Sequence, residues 1–201
     1  TEIDVYHNGT ITKQYGSYYL WGIYRGAIHI TIPCLLQSIH MALEKYLLEL
    51  DKYSHESVKT ILDYILSKSK TVSLTAVVAS IVMSNPERYW RYALDLFRTK
   101  ELFDYDSIRC MDESQHSWFI GMDALMDRNV AQERNDSATL EFRKEKLENI
   151  CVRYQYFRTN NLSEEDSKNI VKEIHEILDN HYEYAKSLED NERNLYEILL
   201  Y

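Results

Sequence analysis

Glu113-Ser-Gln-His116 is the spacing in this chain that most resembles a reactive site. A carboxylate and an imidazole three residues apart share one face of a helix, as in the paired Glu-x-x-His motifs of di-iron bundles. Such a centre needs a second copy of the motif and two further inward glutamates. The rest of the chain offers only Glu173-Ile-His175, with the wrong spacing, and His181, five and six residues from Glu176 and His175. Those separations do not share a helical face well. The metal chemistry open to this sequence is therefore a small helical metalloenzyme built on Glu113, His116 and acids of neighbouring helices. A second candidate is Arg153-Tyr-Gln-Tyr-Phe-Arg158, which interleaves cations with aromatic rings as single-strand nucleic-acid binders do. At helical spacing Tyr154 and Phe157 fall on an apolar stripe, leaving Arg153, Tyr156 and Arg158 outside.

Other chemistries lack their residues. There is no Gly-x-Ser-x-Gly elbow, no Gly-x-x-x-x-Gly-Lys-Ser/Thr loop and no Gly-x-Gly-x-x-Gly, so neither an acyl-transfer nucleophile nor a phosphate cradle is encoded in known form. Cys34, Cys110 and Cys151 are odd in number and far apart, which fits neither a disulfide framework nor a zinc site. Cys34 and Cys151 fall on or beside apolar stripes and read as small buried hydrophobes. No cofactor is expected.

Charge narrows the partners. The net charge is −9, from 23 Lys+Arg and 32 Asp+Glu. Residues 1–105 carry 11 of each sign, and residues 106–201 carry 12 basic against 21 acidic side chains, so the second half holds the whole excess. Acidic balance disfavours phosphate backbones and anionic membrane surfaces. No apolar run reaches the ~18–20 residues of a membrane span, and the N-terminus lacks the order of a signal peptide. With unpaired cysteines, a reducing cytoplasm is the expected setting.

The elements that would position any site are helices. Two prolines and five glycines among 201 residues are too few for an all-β fold with a turn every ten residues. Residues 1–30 are an aromatic, glycine-rich lead-in, and Asn8-Gly9 predicts a small hairpin turn. From Thr31 the period becomes helical. Ile32, Leu35, Leu36, Ile39, Leu43, Tyr46, Leu47 and Leu50 form one apolar stripe, read as the side facing the core. A second helix follows Ser54, with Val58, Ile61, Leu62, Ile65 and Leu66 inward. Val72–Met83, nearly uncharged and apolar all round, predicts a central buried helix. Asn85-Pro86 reads as the cap and first turn of the next helix, which carries Tyr89, Trp90, Ala93, Leu94 and Phe97. Asp104 or Asp106 opens a short helix through Met111, and the apolar run Trp118–Met126 is interrupted by Gly121. Leu140, Leu147, Ile150, Cys151, Tyr154 and Phe157 mark another helix. Ser163-Glu-Glu-Asp166 caps the last, which runs through Ile170, Ile174, Ile177, Leu178, His181, Ala185 and Leu188. The expected fold is all-α: an antiparallel multi-helix array, repeat-like in unit size, behind a hairpin-containing lead-in. It divides into the lead-in (1–30), a helical core (31–133) and an acidic long-helix part (134–201). Without an initiator Met, and ending mid-pattern at Glu197-Ile-Leu-Leu-Tyr201, it reads as one domain of a longer polypeptide.

Several ordered blocks resemble a known family: Tyr19-Leu-Trp-Gly-Ile-Tyr-Arg-Gly26, Leu35-Leu-Gln-Ser38, Met41-Ala-Leu-Glu-Lys-Tyr-Leu-Leu48, Ser73-Leu-Thr-Ala-Val-Val-Ala-Ser80 and Asn85-Pro86. Over residues ~18–115 they resemble a helical region of very large bacterial ATP-binding, STAND-like proteins, some linked to anti-phage defence. The resemblance implies a scaffold or sensor segment attached to an ATPase domain elsewhere, with no ATPase chemistry in these residues. Within those blocks, Trp21, Tyr24 and Arg25 are expected to lock the lead-in onto the first long helix, with Arg25 reaching Glu44. The functional expectation is a non-catalytic scaffold or protein-interaction segment whose partners are other domains of its parent chain or another protein. Seventeen tyrosines suit interfaces between packed helices and between proteins, and half-buried packing inside the domain is the more economical reading. The metalloenzyme on Glu113 and His116 and the single-strand binder around Arg153–Arg158 are the alternatives.

Overall fold

The computed structural model describes residues 1–25, 33–116, 139–156 and 162–188. The chain is predominantly helical behind a two-stranded antiparallel hairpin, β1 (Glu2–His7) and β2 (Thr10–Tyr15). The Asn8-Gly9 turn forms as its dipeptide requires. His7 pairs with Thr10, and both central residues take positive φ, 47° at Asn8 and 73° at Gly9, matching the twist of the flanking strands. Ile3, Val5 and His7 point inward and alternate with outward residues, so the hairpin lies flat on the helices.

Next come a short helix α1 (Tyr18–Trp21), a 3₁₀ turn (Gly22–Arg25) and the helices α2 (Cys34–Asp51), α3 (His55–Lys68), α4 (Val72–Ser84), α5 (Trp90–Phe97) and α6 (Lys100–His116). A second 3₁₀ turn (Glu141–Lys144) leads into α7 (Leu147–Tyr156) and α8 (Glu164–Lys186). Helix α4 is the centre. Thr71 caps it through the Ser73 N–H, and residues from Val72 to Met83 are buried save Leu74, against α1, α2, α3, α5 and the second 3₁₀ turn. Around it pack Trp21, Tyr24, Leu62, Leu66, Tyr89, Leu96, Phe97, Leu147 and Ile150, all fully buried. The Ser163 hydroxyl accepts the Asp166 N–H at 2.9 Å, and three acids fill the first turn of α8. Ser163→Ala is expected to cost about 1 kcal/mol by urea denaturation, and an unchanged midpoint would show the cap to be idle.

Local expectations differ from the structure in four places. Leu140 is exposed and precedes the second 3₁₀ turn, outside α7, because the chain becomes α-helical only at Leu147. Asn85 closes α4 instead of opening α5, which starts at Trp90 after a turn built on the Asn85 carbonyl. Helix α6 spans seventeen residues from Lys100, so neither Asp104 nor Asp106 opens it; Asp106 is buried at mid-helix. Part of the apolar stripe of α2 faces outward: Leu35, Leu36, Ile39 and Tyr46 are exposed, whereas Leu47 is buried and Leu43 and Leu50 pack against the core, beside polar residues of the same helix that find their partners inside. The readings of Gly26, Thr31, Ile32, Trp118–Met126, Phe157 and Arg158 lie outside the described residues, as does the side chain of Cys34. No described helix is long and apolar enough to cross a membrane.

Candidate functional site

Helix α2 buries polar residues and leaves part of its apolar stripe outside. Gln37, His40, Glu44 and Leu47 are buried, while Leu35, Ile39 and Tyr46 are 74%, 56% and 56% exposed. Leu35, Ile39, Ala42 and Tyr46 all lie within about 40° of the line opposite Glu44. The reason is on the inner side, where His40 and Glu44 are hydrogen-bonded. His40 Nδ1 donates to the Leu36 carbonyl at 2.9 Å, leaving Nε2 to accept the Ser73 hydroxyl at 3.0 Å. Glu44 accepts from the Ser80 hydroxyl and from Arg143 Nη2.

Glu44 belongs to a buried cluster of three arginines and three carboxylates. Arg109 places all five of its N–H groups. Nε and Nη2 reach the two Asp106 oxygens at 2.7 and 3.2 Å, and Nη1 reaches Glu113 at 2.9 Å. The remaining two donate to the carbonyls of Arg143 (3.0 Å) and Glu145 (2.6 Å). Asp106 is equally saturated. It also takes the Trp21 indole N–H at 3.0 Å and, at 2.9 Å, the N–H of Leu147 at the start of α7, where the helix dipole favours a carboxylate. Glu113 accepts Arg25 Nε on its other oxygen. Six side chains thus join the lead-in, α2, α6 and the segment entering α7. Burial pushes the Glu44 carboxyl up to about 7, against the Arg25 charge and the Ser80 hydroxyl, which favour the ionised form.

This assigns the singled-out residues. Glu113 is held between Arg25 and Arg109, and a carboxylate so neutralised is a poor cation ligand. His116 ends α6, and its side chain lies outside the described residues, so Glu113 and His116 are not shown together. His181 is buried with Nε2 at 2.9 Å from the Phe97 carbonyl, while His175 and Glu176 lie elsewhere on α8. Among the described residues no group of three His, Cys, Asp or Glu could hold a metal ion. Arg153 pairs with Glu145 at 2.6 Å, and Tyr154 is buried with its hydroxyl on the Pro86 carbonyl at 2.6 Å; Tyr156 is exposed. Burial pushes the Cys151 thiol up to about 11, so it is an inert core group. Trp21, Tyr24 and Arg25 do lock the lead-in to the helices. The partner of Arg25 is Glu113 on α6, whereas Glu44 pairs with Arg143.

Two further groupings carry partial chemistry. Ser73 and His40 stand at nucleophile–base distance, but both are buried, and the hydroxyl cannot meet a substrate without α2 leaving α4. A cleft of about 550 Å³ lies between the hairpin turn, α5 and α8, walled by Asn8, Trp90, Arg91, Asp95 and Arg98. Beside it Arg98 pairs with Glu173 at 2.5 Å, Asp95 is hydrogen-bonded with His7 Nδ1 at 3.0 Å, and Arg91 lies over the Trp90 ring.

The periodicity of the buried cluster was visible before folding. Asp106, Arg109 and Glu113 stand at i, i+3 and i+7, and Gln37, His40, Glu44 and Leu47 at similar steps. Sequence reasoning passed over both because charged helical residues ordinarily mark a solvated face. No protein-family model matches this chain, and no curated protein matches it either.

Proposed function

We infer that the chain is a non-catalytic scaffold of protein-interaction type, with the outer face of α2 as its docking surface. The observation that carries this is the outer face of α2: Leu35, Leu36, Ile39 and Tyr46 are left exposed by a helix that buries a glutamate on its other side. Contiguous apolar surface of this kind marks a binding site rather than ordinary scatter. The flanking Leu43 and Leu50 are only partly covered. The carboxylates of the Arg109 cluster are each held by an arginine of that cluster. The family resemblance adds the setting, a segment serving a large ATP-binding protein, and the partner would then be a neighbouring domain or another protein.

The test is the double variant Leu35→Glu/Ile39→Glu. Its unfolding free energy is expected to stay within about 0.5 kcal/mol of wild type, as for exposed positions. Binding of a hydrophobic dye to the native protein should fall sharply. Dye binding that survives the double variant, or a loss of helicity by circular dichroism, would remove the outer face of α2 as the docking surface. The metalloenzyme reading is checked separately by elemental analysis of the purified protein, where a stoichiometric metal lost in Glu113→Ala would displace the scaffold.

A further inference from the structure

The walls of the cleft between the hairpin turn, α5 and α8 are tied to one another by polar contacts. Asp95 Oδ2 on α5 accepts the Asn8 N–H at 3.3 Å and His7 Nδ1 at 3.0 Å, which fixes the turn. Arg98 Nη2 reaches Glu173 at 2.5 Å and fixes α8. Both carboxylates of the lining are therefore engaged. The donors are not. Arg91 is exposed, its guanidinium carbon lies 4.9 Å from the centroid of the Trp90 ring, and among the described residues no carboxylate pairs with it. The Tyr6 hydroxyl and the Trp90 indole N–H, on the same lining, also make no hydrogen bond among the described residues. A guanidinium resting on a ring by its face keeps its in-plane N–H groups for a carboxylate or a phosphate, and the stacking limits the freedom it loses on binding. At about 550 Å³ the cleft lies within the roughly 300–1,000 Å³ of small-molecule sites, and the buried Leu94 adds apolar surface to the two aromatic rings.

We propose that this cleft binds a small aromatic anion, a ring carrying one carboxylate or phosphate. The anionic group takes the Arg91 guanidinium, and the ring takes the lining of Tyr6, Trp90 and Leu94. Charge argues against other classes. A cationic ligand would meet an arginine without an ion pair and two carboxylates already engaged. A nucleic-acid strand would need a row of cations, whereas the lining offers one that is not paired and the chain as a whole carries −9. No residue of α2 lines the cleft, so this site stands or falls independently of the docking face. Because Arg91 is exposed, salt screens its attraction for the anion, and the affinity is modest.

The Trp90 indole N–H, read in proton–nitrogen correlation spectra and identified by its loss in Trp90→Phe, follows titrations with phenyl phosphate, benzoate, inorganic phosphate and benzamide. Phenyl phosphate and benzoate are expected to shift it with dissociation constants of about 1 mM or below, and to bind less tightly at high salt. Inorganic phosphate lacks the ring and benzamide lacks the charge, so each is expected to bind about tenfold more weakly or not at all. Arg91→Gln is expected to weaken both aryl anions about tenfold, and Arg91→Lys, which keeps the charge and loses the fork, by less. Circular dichroism of each variant shows that the fold is kept. That pattern supports the site. No shift from either aryl anion up to about 20 mM, or an Arg91→Gln chain that binds them as wild type does, overturns it. Benzamide binding as tightly as benzoate removes the charge from the ligand, and inorganic phosphate binding as tightly as phenyl phosphate removes the ring; either result overturns the proposed class.

Discussion

Replacing Arg109 with methionine is expected to destabilise the fold by roughly 3–5 kcal/mol, the range for removing one partner from a buried ion pair. The magnitude follows from the geometry left behind. Asp106 is fully buried, keeps only the Trp21 and Leu147 N–H groups, and loses the two bonds that balanced its charge. Glu113 retains Arg25, but the carbonyls of Arg143 and Glu145 lose their donors. Methionine matches the length of the stem and none of the five N–H groups, so little of the loss comes from packing. Arg109→Lys is expected to fall between, because an ammonium cannot span two carboxylates and two carbonyls in one plane. Combining Arg109→Met with Asp106→Asn should cost clearly less than the sum of the single changes, since the neutral amide removes the stranded charge. Urea denaturation measures each variant against wild type. A loss below about 1 kcal/mol for Arg109→Met, or strict additivity in the double variant, would show that the cluster does not hold the elements together.

The stability of wild type relative to Glu44→Gln is expected to fall by about 3 kcal/mol between pH 4.5 and pH 7.5, at 1.36 kcal/mol for each unit separating the folded and unfolded pKa. Burial raises the carboxyl from its ordinary 4.5 to about 7, so the folded state holds this proton more tightly than the unfolded chain. The contribution of Glu44 is therefore fully present below 4.5 and disappears as the pH rises through 7. Taking the difference against glutamine, an isostere of the protonated acid, cancels every other titrating group. A flat difference would refute the shift. A difference of opposite sign would show that pairing with Arg143 outweighs desolvation.

The Glu44 experiment probes the inner side of the helix whose outer side carries the proposed function. The inner contacts fix how α2 is rotated, and that rotation leaves Leu35, Ile39 and Tyr46 in solvent. A variant that loosens the Glu44–Arg143 contact offers a measure of how firmly the outer face is presented, by its effect on dye binding.

Local pattern determined much of this molecule. The Asn8-Gly9 hairpin, the charge-free central helix from Val72, the inward residues of α3 and the Ser163 cap follow from turn chemistry, periodicity and capping, which act over a few residues and are written in consecutive positions. The same reasoning, applied to α2, named the right helix but only part of its buried face: Leu47 is inside, whereas Leu35, Ile39 and Tyr46 are exposed. An apolar stripe says which side of a helix prefers to leave water, and that preference amounts to about 25 cal/mol for each Å² covered. It does not say whether a carboxylate on the other side will meet Arg143, ninety-nine residues away, or whether a serine and a histidine thirty-three residues apart will satisfy each other. Those partners come from different elements, and only their assembly gives the polar side of α2 a place inside the protein. Glu113 shows the same division. Its spacing to His116 suggested a metal ligand, but what a carboxylate binds is decided by the charges folded against it, here two arginines, one four residues away and one eighty-eight.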